Sequence, residues 1–294
     1  MRKIIVLFIC LLLCFSSINI QNVFAVARNH FIPRRLKTVY FSSTDTASKF
    51  LSYLSDESIS IIELTAGTYY LPYMVIDIDR ANPVVVKPVN GAKVVFSGSK
   101  IGGDPQFMFG EYKACGNIKM QGFIFDGYIL AQQGIIQANN CHNITLNNMV
   151  VRNCKCNGTC ALPYHSWALY LSETTTVRPV NFTANNWDVD CSNKEMGGFQ
   201  CYGGQNITLK NWNVKGAYYA AYISGGCRGP VIDNLILDGW AVKDSGATCW
   251  GHDNVSIAAE YVSGTYSNIT LISSGEIINV GTPRLIDGGN NSVF

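Results

Sequence analysis

The chain has 294 residues, of which 14% are charged, and a formal net charge of +2. That charge fraction is well below the roughly 25% usual for globular domains, and so small a net charge offers no field to attract a polyanion, which excludes nucleic acid as a partner. No Pro/Ser linker or block of like charge divides the chain, so one continuous domain is expected.

Met1-Arg2-Lys3, an apolar run from Ile4 to Phe15 and the small residues Ala25 and Ala27 have the order of a secretory signal peptide. Residues 1–27 are therefore assigned to a leader cleaved after Ala25 or Ala27, a signal anchor being the alternative. No other run is long enough to span a bilayer, so the mature chain is expected to be soluble, secreted and off the membrane. Residues 28–60 form an N-terminal segment. Within it Thr44 to Leu54 reads as a helix, because a Ser/Thr/Asp-rich start suits N-capping and Phe50, Leu51 and Leu54 supply an apolar stripe. A helix there covers the otherwise open end of a stack of repeats.

From residue 61 to 294 one phrase recurs: Asn117-Ile-Lys-Met, Asn143-Ile-Thr-Leu, Asn181-Phe-Thr-Ala, Asn206-Ile-Thr-Leu and Asn268-Ile-Thr-Leu. The first three steps are 26, 38 and 25 residues, which suits one coil of short strands with one longer turn and points to a solenoid. Gly229-Pro-Val-Ile-Asp-Asn-Leu-Ile-Leu aligns with Asn206-Ile-Thr-Leu-Lys-Asn-Trp-Asn-Val, which sets Asn234 level with Asn211. A second short run precedes each phrase, in Gly134-Ile-Ile-Gln-Ala, Trp167-Ala-Leu-Tyr-Leu, Gly198-Phe-Gln-Cys-Tyr and Ala220-Ala-Tyr-Ile-Ser. Two strands per coil are legible, with room for a third.

Seven Asn-x-Ser/Thr sequons stand at Asn143, Asn157, Asn181, Asn206, Asn254, Asn268 and Asn290, which marks the chain as a candidate glycoprotein. Three of them are the repeat phrase Asn-Ile-Thr itself, whose Asn can equally be a stacked structural residue. Asn157, in Cys-Asn-Gly-Thr-Cys, looks most like an exposed acceptor. Removing Cys10 and Cys14 with the leader leaves nine of the eleven cysteines, an odd number that leaves one to link two chains in a disulfide dimer. Cys115 and Cys141 each lie two residues before a repeat Asn, so they are expected to stack in adjacent coils within disulfide reach. The Cys154, Cys156, Cys160 cluster reads as disulfides rather than zinc in an exported chain.

From Ile61 onward, over about four-fifths of the chain, the sequence resembles the right-handed parallel β-helix proteins of the pectin lyase-like superfamily. The resemblance rests on Ile61-Ile-Glu-Leu-Thr-Ala-Gly-Thr-Tyr69, similar to that fold's first coil, on Val84-Val-Val-Lys-Pro with Gly91-Ala-Lys-Val-Val-Phe-Ser-Gly98, similar to its second, and on the Asn-Ile-Thr-Leu phrases. It implies an all-β solenoid with a short N-terminal capping helix. It also implies a groove for an extended polysaccharide, because sugar faces stack on Tyr and Trp while hydroxyls meet Asn, Gln and Ser.

Hydrolases of that superfamily carry paired acids, whereas the comparable stretch here holds Tyr218 and Tyr219, and Trp250-Gly-His252-Asp253 is a poor substitute. Lyases need a base beside a uronate and acids that hold Ca²⁺ as an optional cofactor. The candidate acids are Asp188, Asp190, Asp233 and Asp238 and the candidate bases Arg152, Lys215 and Arg228, with no recognisable lyase motif among them. The richest cluster is Pro163-Tyr164-His165-Ser166-Trp167-Ala-Leu-Tyr170, in which His165 suits a general base or acid, Tyr164 or Tyr170 a proton donor and Trp167 a sugar platform. Gln137, Gln200, Tyr202, Tyr218, Tyr219 and Tyr222 are expected to extend it as a substrate-binding strip. The reading is a secreted β-helix protein acting on or binding extracellular or cell-wall polysaccharide, a uronate lyase before a hydrolase if it cuts at all; the alternative is a non-catalytic glycan-binding or structural protein.

Overall fold

Short strands rich in Val, Ile, Phe and Asn wind into coils, and each coil lays its strands in parallel register on the coil before. The result is the right-handed parallel β-helix expected from the sequence. The computed structural model describes residues 36–98, 105–130, 134–156, 166–171, 178–191, 194–225, 232–247 and 253–294, and the fold lies in the unit Lys37–Phe294. The leader assigned to residues 1–27 is outside the described residues. No helix among them is long and apolar enough to cross a membrane.

Two sheets carry the architecture. Eight strands stack in the smaller one: Met74–Ile76, Phe107–Phe109, Gly134–Ala138, Trp167–Leu171, Gly197–Cys201, Ala221–Ser224, Val255–Glu260 and Glu276–Val280. The larger sheet has seventeen strands and bends along its length. The bend is visible within Val180–Asp190 and Gln205–Lys215, where inward-outward alternation breaks at Asn185-Asn186 and Lys210-Asn211 so that two successive side chains face outward. Each coil therefore has three faces, with one corner at the start of the large-sheet strands and a second further along them.

Both corners require backbone in the left-handed region, which Asn and Gly adopt at least cost. At the first corner Asn117, Asn143, Asn181, Asn206 and Asn234 have φ between 52° and 59°. Each Asn amide from Asn143 on donates to the side-chain oxygen one coil below, at 2.9, 3.1, 2.9 and 2.9 Å. The second corner repeats the device, Asn186 donating to Asn148 at 2.9 Å and Asn211 to Asn186 at 3.0 Å. Gly239 then takes the position at φ 70°, Asn268 donates to Asp238 at 2.7 Å, and Asn290 to Asn268 at 3.2 Å.

Two alignments made from the sequence are corrected here. Asn234 stacks on Asn206, not level with Asn211, since Leu235 pairs with Ile207 and Leu237 with Leu209. Asn268-Ile-Thr-Leu, identical in sequence to the phrase at Asn206, sits at the other corner, where Thr270 pairs with Ala241. Burial decides both registers. Trp187, Trp212 and Trp240 stack nearly parallel in the core with ring centroids 4.7 and 4.9 Å apart, and each indole N–H donates to a carbonyl of the preceding coil, Leu146, Ala184 or Leu209. Only one alignment keeps that stack and both Asn rows.

The N-terminal end is covered as predicted. Thr46 caps the helix Ala47–Ser55 by accepting from the Lys49 N–H, and the helix buries Phe50 and Leu54. Phe50 meets Phe41 at 5.3 Å and Phe107 at 6.2 Å. Buried Arg80 ties the helix down by donating to the carbonyls of Leu54, Ile59 and Asn82. The sheet starts before residue 61, however: Lys37–Phe41 pairs with Ile59–Leu64, so the helix is inserted between the first two coil strands.

Candidate functional site

Alternate residues of the small sheet enter two different clusters. Leu169, Leu171, Phe199, Cys201, Ala221 and Ile223 join the main core, whereas Tyr222 and Ala258, with Tyr170 and Ile278 packed against them, belong to a separate outer cluster. In register these outer positions make one row across the coils: Met108, Gln137, Tyr170, Gln200, Tyr222, Ala258 and Ile278. Coils repeat every ~4.8 Å, so the row is a straight line of side chains along the helix axis. The strip expected from the sequence is thus assembled from four consecutive coils.

Two residues further along each strand runs a second row. Tyr202 accepts a hydrogen bond from Gln200 Nε2 at 2.8 Å, Ser224 Oγ donates to Glu260 Oε2 at 2.9 Å, and Gln137 Nε2 donates to Asn139 at 3.5 Å. The aromatic rings lock edge to face, Tyr170 with Tyr202 at 6.0 Å and Tyr202 with Tyr222 at 6.2 Å. Tyr219 joins Tyr222 at 5.3 Å and Tyr218 at 5.2 Å. Offset and edge contacts of this kind fix ring orientation beyond what burial supplies.

The strip is less exposed than the sequence reading implied. Trp167, Gln137, Gln200, Tyr218, Tyr219 and Tyr222 are each at most 7% exposed, so Trp167 is not an open sugar platform. Its ring lies against the backbone of the next coil, where a Cβ on Gly197 would come within 2.2 Å of it. Trp167, Tyr218 and Tyr219 form the bed of the face, and Tyr170, Tyr202 and Glu260 are its half-buried members. His165 and Tyr164 lie outside the described residues, as do Arg228, His252 and Asn157.

Arg152 is not on this face. It ends the strand Val150–Arg152 of the large sheet, in register with Asp126, and binds that carboxylate at 2.8 Å. The acids considered for Ca²⁺ are likewise on the large sheet and already engaged: Asp188 accepts from Asn213, Asp233 from Ser263, and Asp238 from Asn268 and Ser267. Among the described residues no group of three His, Cys, Asp or Glu gathers that could hold a metal ion.

Of the six described cysteines, Cys115, Cys141, Cys154, Cys156 and Cys191 are free thiols. Cys115 and Cys141 are register partners as the spacing predicts, but no disulfide joins them. Both lie in the core, where burial pushes the Cys115 thiol up to about 12 and Cys141 well above the ordinary range.

Sequence reasoning missed Asn139, Ser224 and Glu260. The signal was there: Ala221-Tyr-Ile-Ser and Ile257-Ala-Ala-Glu align residue for residue, which sets Ser224 level with Glu260. The three indoles of the core stack were also missed, although each follows a corner Asn or Gly directly.

No family model matches the chain, and no curated protein matches it in sequence. Among solved structures it is similar to the iota-carrageenase of family GH82 from A. fortis, with TM-score 0.57 and 14% identity over 83% of this chain and 55% of that one. The chain thus spans about half the length of that carrageenase. It is also similar to the pectin methylesterase from Aspergillus niger (TM-score 0.39, 11% identity, 89% and 85% of the two chains) and to the polygalacturonase from Erwinia carotovora ssp. carotovora (0.37, 12%, 87% and 92%). The likeness is one of fold.

Proposed function

We propose, from a parallel β-helix fold shared with pectin lyase-like proteins, that this chain is an exported protein that binds or processes an extracellular or cell-wall polysaccharide along the outer face of its small sheet. The observation that carries this reading is the register row Gln137, Tyr170, Gln200 and Tyr222 with Tyr202 beside it. A line of phenol and amide groups repeated every ~4.8 Å suits an extended polymer better than a small ligand, with the half-buried Tyr170 and Tyr202 against the sugar and the buried Gln137, Gln200 and Tyr222 holding them in place.

Within that reading, β-elimination on a uronate polymer ranks before hydrolysis, with Tyr170 as proton donor and His165 and Tyr164 as the further groups suggested by the sequence. Arg152, held by Asp126 on another face, has no part in it. A second reading, binding without bond cleavage, is supported by the way the polar members of the face satisfy one another, Gln200 with Tyr202 and Ser224 with Glu260.

The test is incubation of purified protein with pectic, alginate-type, glucuronan and neutral polymers, with and without Ca²⁺, following the absorbance of unsaturated uronates together with reducing ends. New absorbance supports a lyase, reducing ends alone a hydrolase, and binding without either the second reading. In each case the Tyr170→Ala, Tyr202→Ala double variant is expected to weaken polymer affinity tenfold or more. Unchanged affinity, or no binding to any polymer, overturns the assignment of this face.

A further inference from the structure

We infer that Asn254 is the acceptor of an N-linked glycan and that the Asn-x-Ser/Thr sequons of the two corner ladders carry none. The inference rests on the export proposed above and on nothing else about the polysaccharide face. In sequence the six sequons among the described residues are equivalent. In the fold they fall into two kinds.

Asn143, Asn181 and Asn206 are inner rungs of the first ladder: each donates through Nδ2 to the coil below and accepts through Oδ1 from the coil above. Asn268 gives its Nδ2 proton to Asp238 and accepts from Asn290. With coils ~4.8 Å apart, a sugar on one Nδ2 has the neighbouring amides directly above and below it, and it removes a proton from the group that ties the rung down. A chain glycosylated there before folding would have to close that corner with one amide proton fewer and a sugar in the path of the neighbouring rungs.

Asn254 is different. It is exposed, at the turn before the strand Val255–Glu260, and its side-chain amide makes no hydrogen bond to a described residue. Two of the positions packed against it are glycines. A Cβ on Gly246 would come within 2.4 Å of Asn254 Oδ1, and one on Gly275 within 2.0 Å of its backbone carbonyl. Where the ladders set Asn on Asn, this turn sets the exposed Asn254 against glycine backbone, with no ladder bond to its amide from a described residue. The sequon hydroxyl of Ser256 is fully buried and donates to the Ser245 carbonyl at 2.9 Å, so transfer must precede closure of this coil. In that transfer Nδ2 forms a bond to C1 of an oligosaccharide carried on a polyprenyl pyrophosphate. The C1–O bond breaks, the pyrophosphate leaves with the electron pair, and one amide proton is lost.

The experiment is secretion of the full chain behind a host leader from a glycosylating eukaryotic cell line, so that entry into the pathway does not depend on the chain's own N-terminus. The secreted protein is treated with an amidase that releases N-glycans in heavy-oxygen water and mapped by peptide mass. Label at Asn254, its absence at Asn143, Asn181, Asn206, Asn268 and Asn290, and loss of one glycan's mobility shift in Asn254→Gln but not in Asn206→Gln are expected. An unlabelled Asn254, or label on any ladder Asn, overturns the inference. A parallel culture with the native leader tests export separately, retention in the cells counting against export alone.

Discussion

Asn206 shows how two roles of one side chain can be separated. Its left-handed backbone at φ 55° costs a residue with a Cβ about 1–2 kcal/mol, and its two ladder bonds, to Asn181 and from Asn234, contribute about 0.5–1.5 kcal/mol each. Asn206→Ala loses both and is expected to destabilise by about 2–5 kcal/mol, whereas Asn206→Gly keeps the backbone and loses only the bonds, at about 1–3 kcal/mol. Equal losses for the two variants in urea unfolding would show that the conformational contribution is absent. The thiols make a second residue-scale case. Burial pushes Cys115 and Cys154 up to about 12 and Cys141 and Cys191 well above their ordinary range, while Cys156 is half-buried. A disulfide reagent at mildly alkaline pH should therefore label Cys156 in the folded protein and leave those four unmodified until denaturant is added. The Asn residues were legible in the sequence because both corner chemistry and repetition mark them. Their assignment to one corner or the other was not, because Asn206-Ile-Thr-Leu and Asn268-Ile-Thr-Leu are the same words.

Among elements, the large sheet is held by rows that cross coils. Trp212 lies between Trp187 and Trp240, so Trp212→Ala removes two stacking partners and the bond to Ala184 and is expected to cost about 3–5 kcal/mol by thermal or chemical unfolding. Asp238 supplies a pH-dependent row. The hydrogen bond from the Asn268 amide, then that from Ser267 and the charge of Lys210, hold its carboxyl below the ordinary range. A lowered carboxylate adds stability that is fully present above its unfolded value and is lost as pH falls through its folded value. Melting temperature should therefore drop on the acid side of the ordinary carboxylate range, and Asp238→Asn should flatten that limb; parallel wild-type and variant curves would rule the carboxylate out as its source.

At the largest scale, the unit Lys37–Phe294 is asymmetric about its axis and along it. Around the axis, the large sheet is a surface of amide and ion-pair rows, and the small sheet carries the aromatic row. Along the axis, the helix Ala47–Ser55 closes one end with Phe50 and Leu54, and an unclosed solenoid end presents strand edges to other chains. Phe50→Ala is expected to cost about 3–5 kcal/mol and to produce concentration-dependent association in light scattering that the parent chain lacks. Destabilisation without association would mean that the helix is packing mass rather than a cover. The aromatic row belongs to this scale too, since no single coil contributes more than a few of its side chains.

The sequence by itself determined the solenoid, the capping helix and the row Gln137, Tyr170, Gln200 and Tyr222, because these follow from local chemistry: left-handed corners select Asn and Gly, alternation selects strands, and Thr46 with Phe50 and Leu54 marks a capped amphipathic turn. Only the tertiary structure decided which Asn stacks on which, that Trp167 and Tyr219 are bed rather than surface, that Arg152 answers to Asp126, that Glu260 stands beside Ser224, and that Asn254 alone among the described sequons has an amide that makes no hydrogen bond to a described residue. Those outcomes depend on register between coils 20 to 40 residues apart, and register is set by the sum of buried contacts along every face at once. No window of sequence holds that sum.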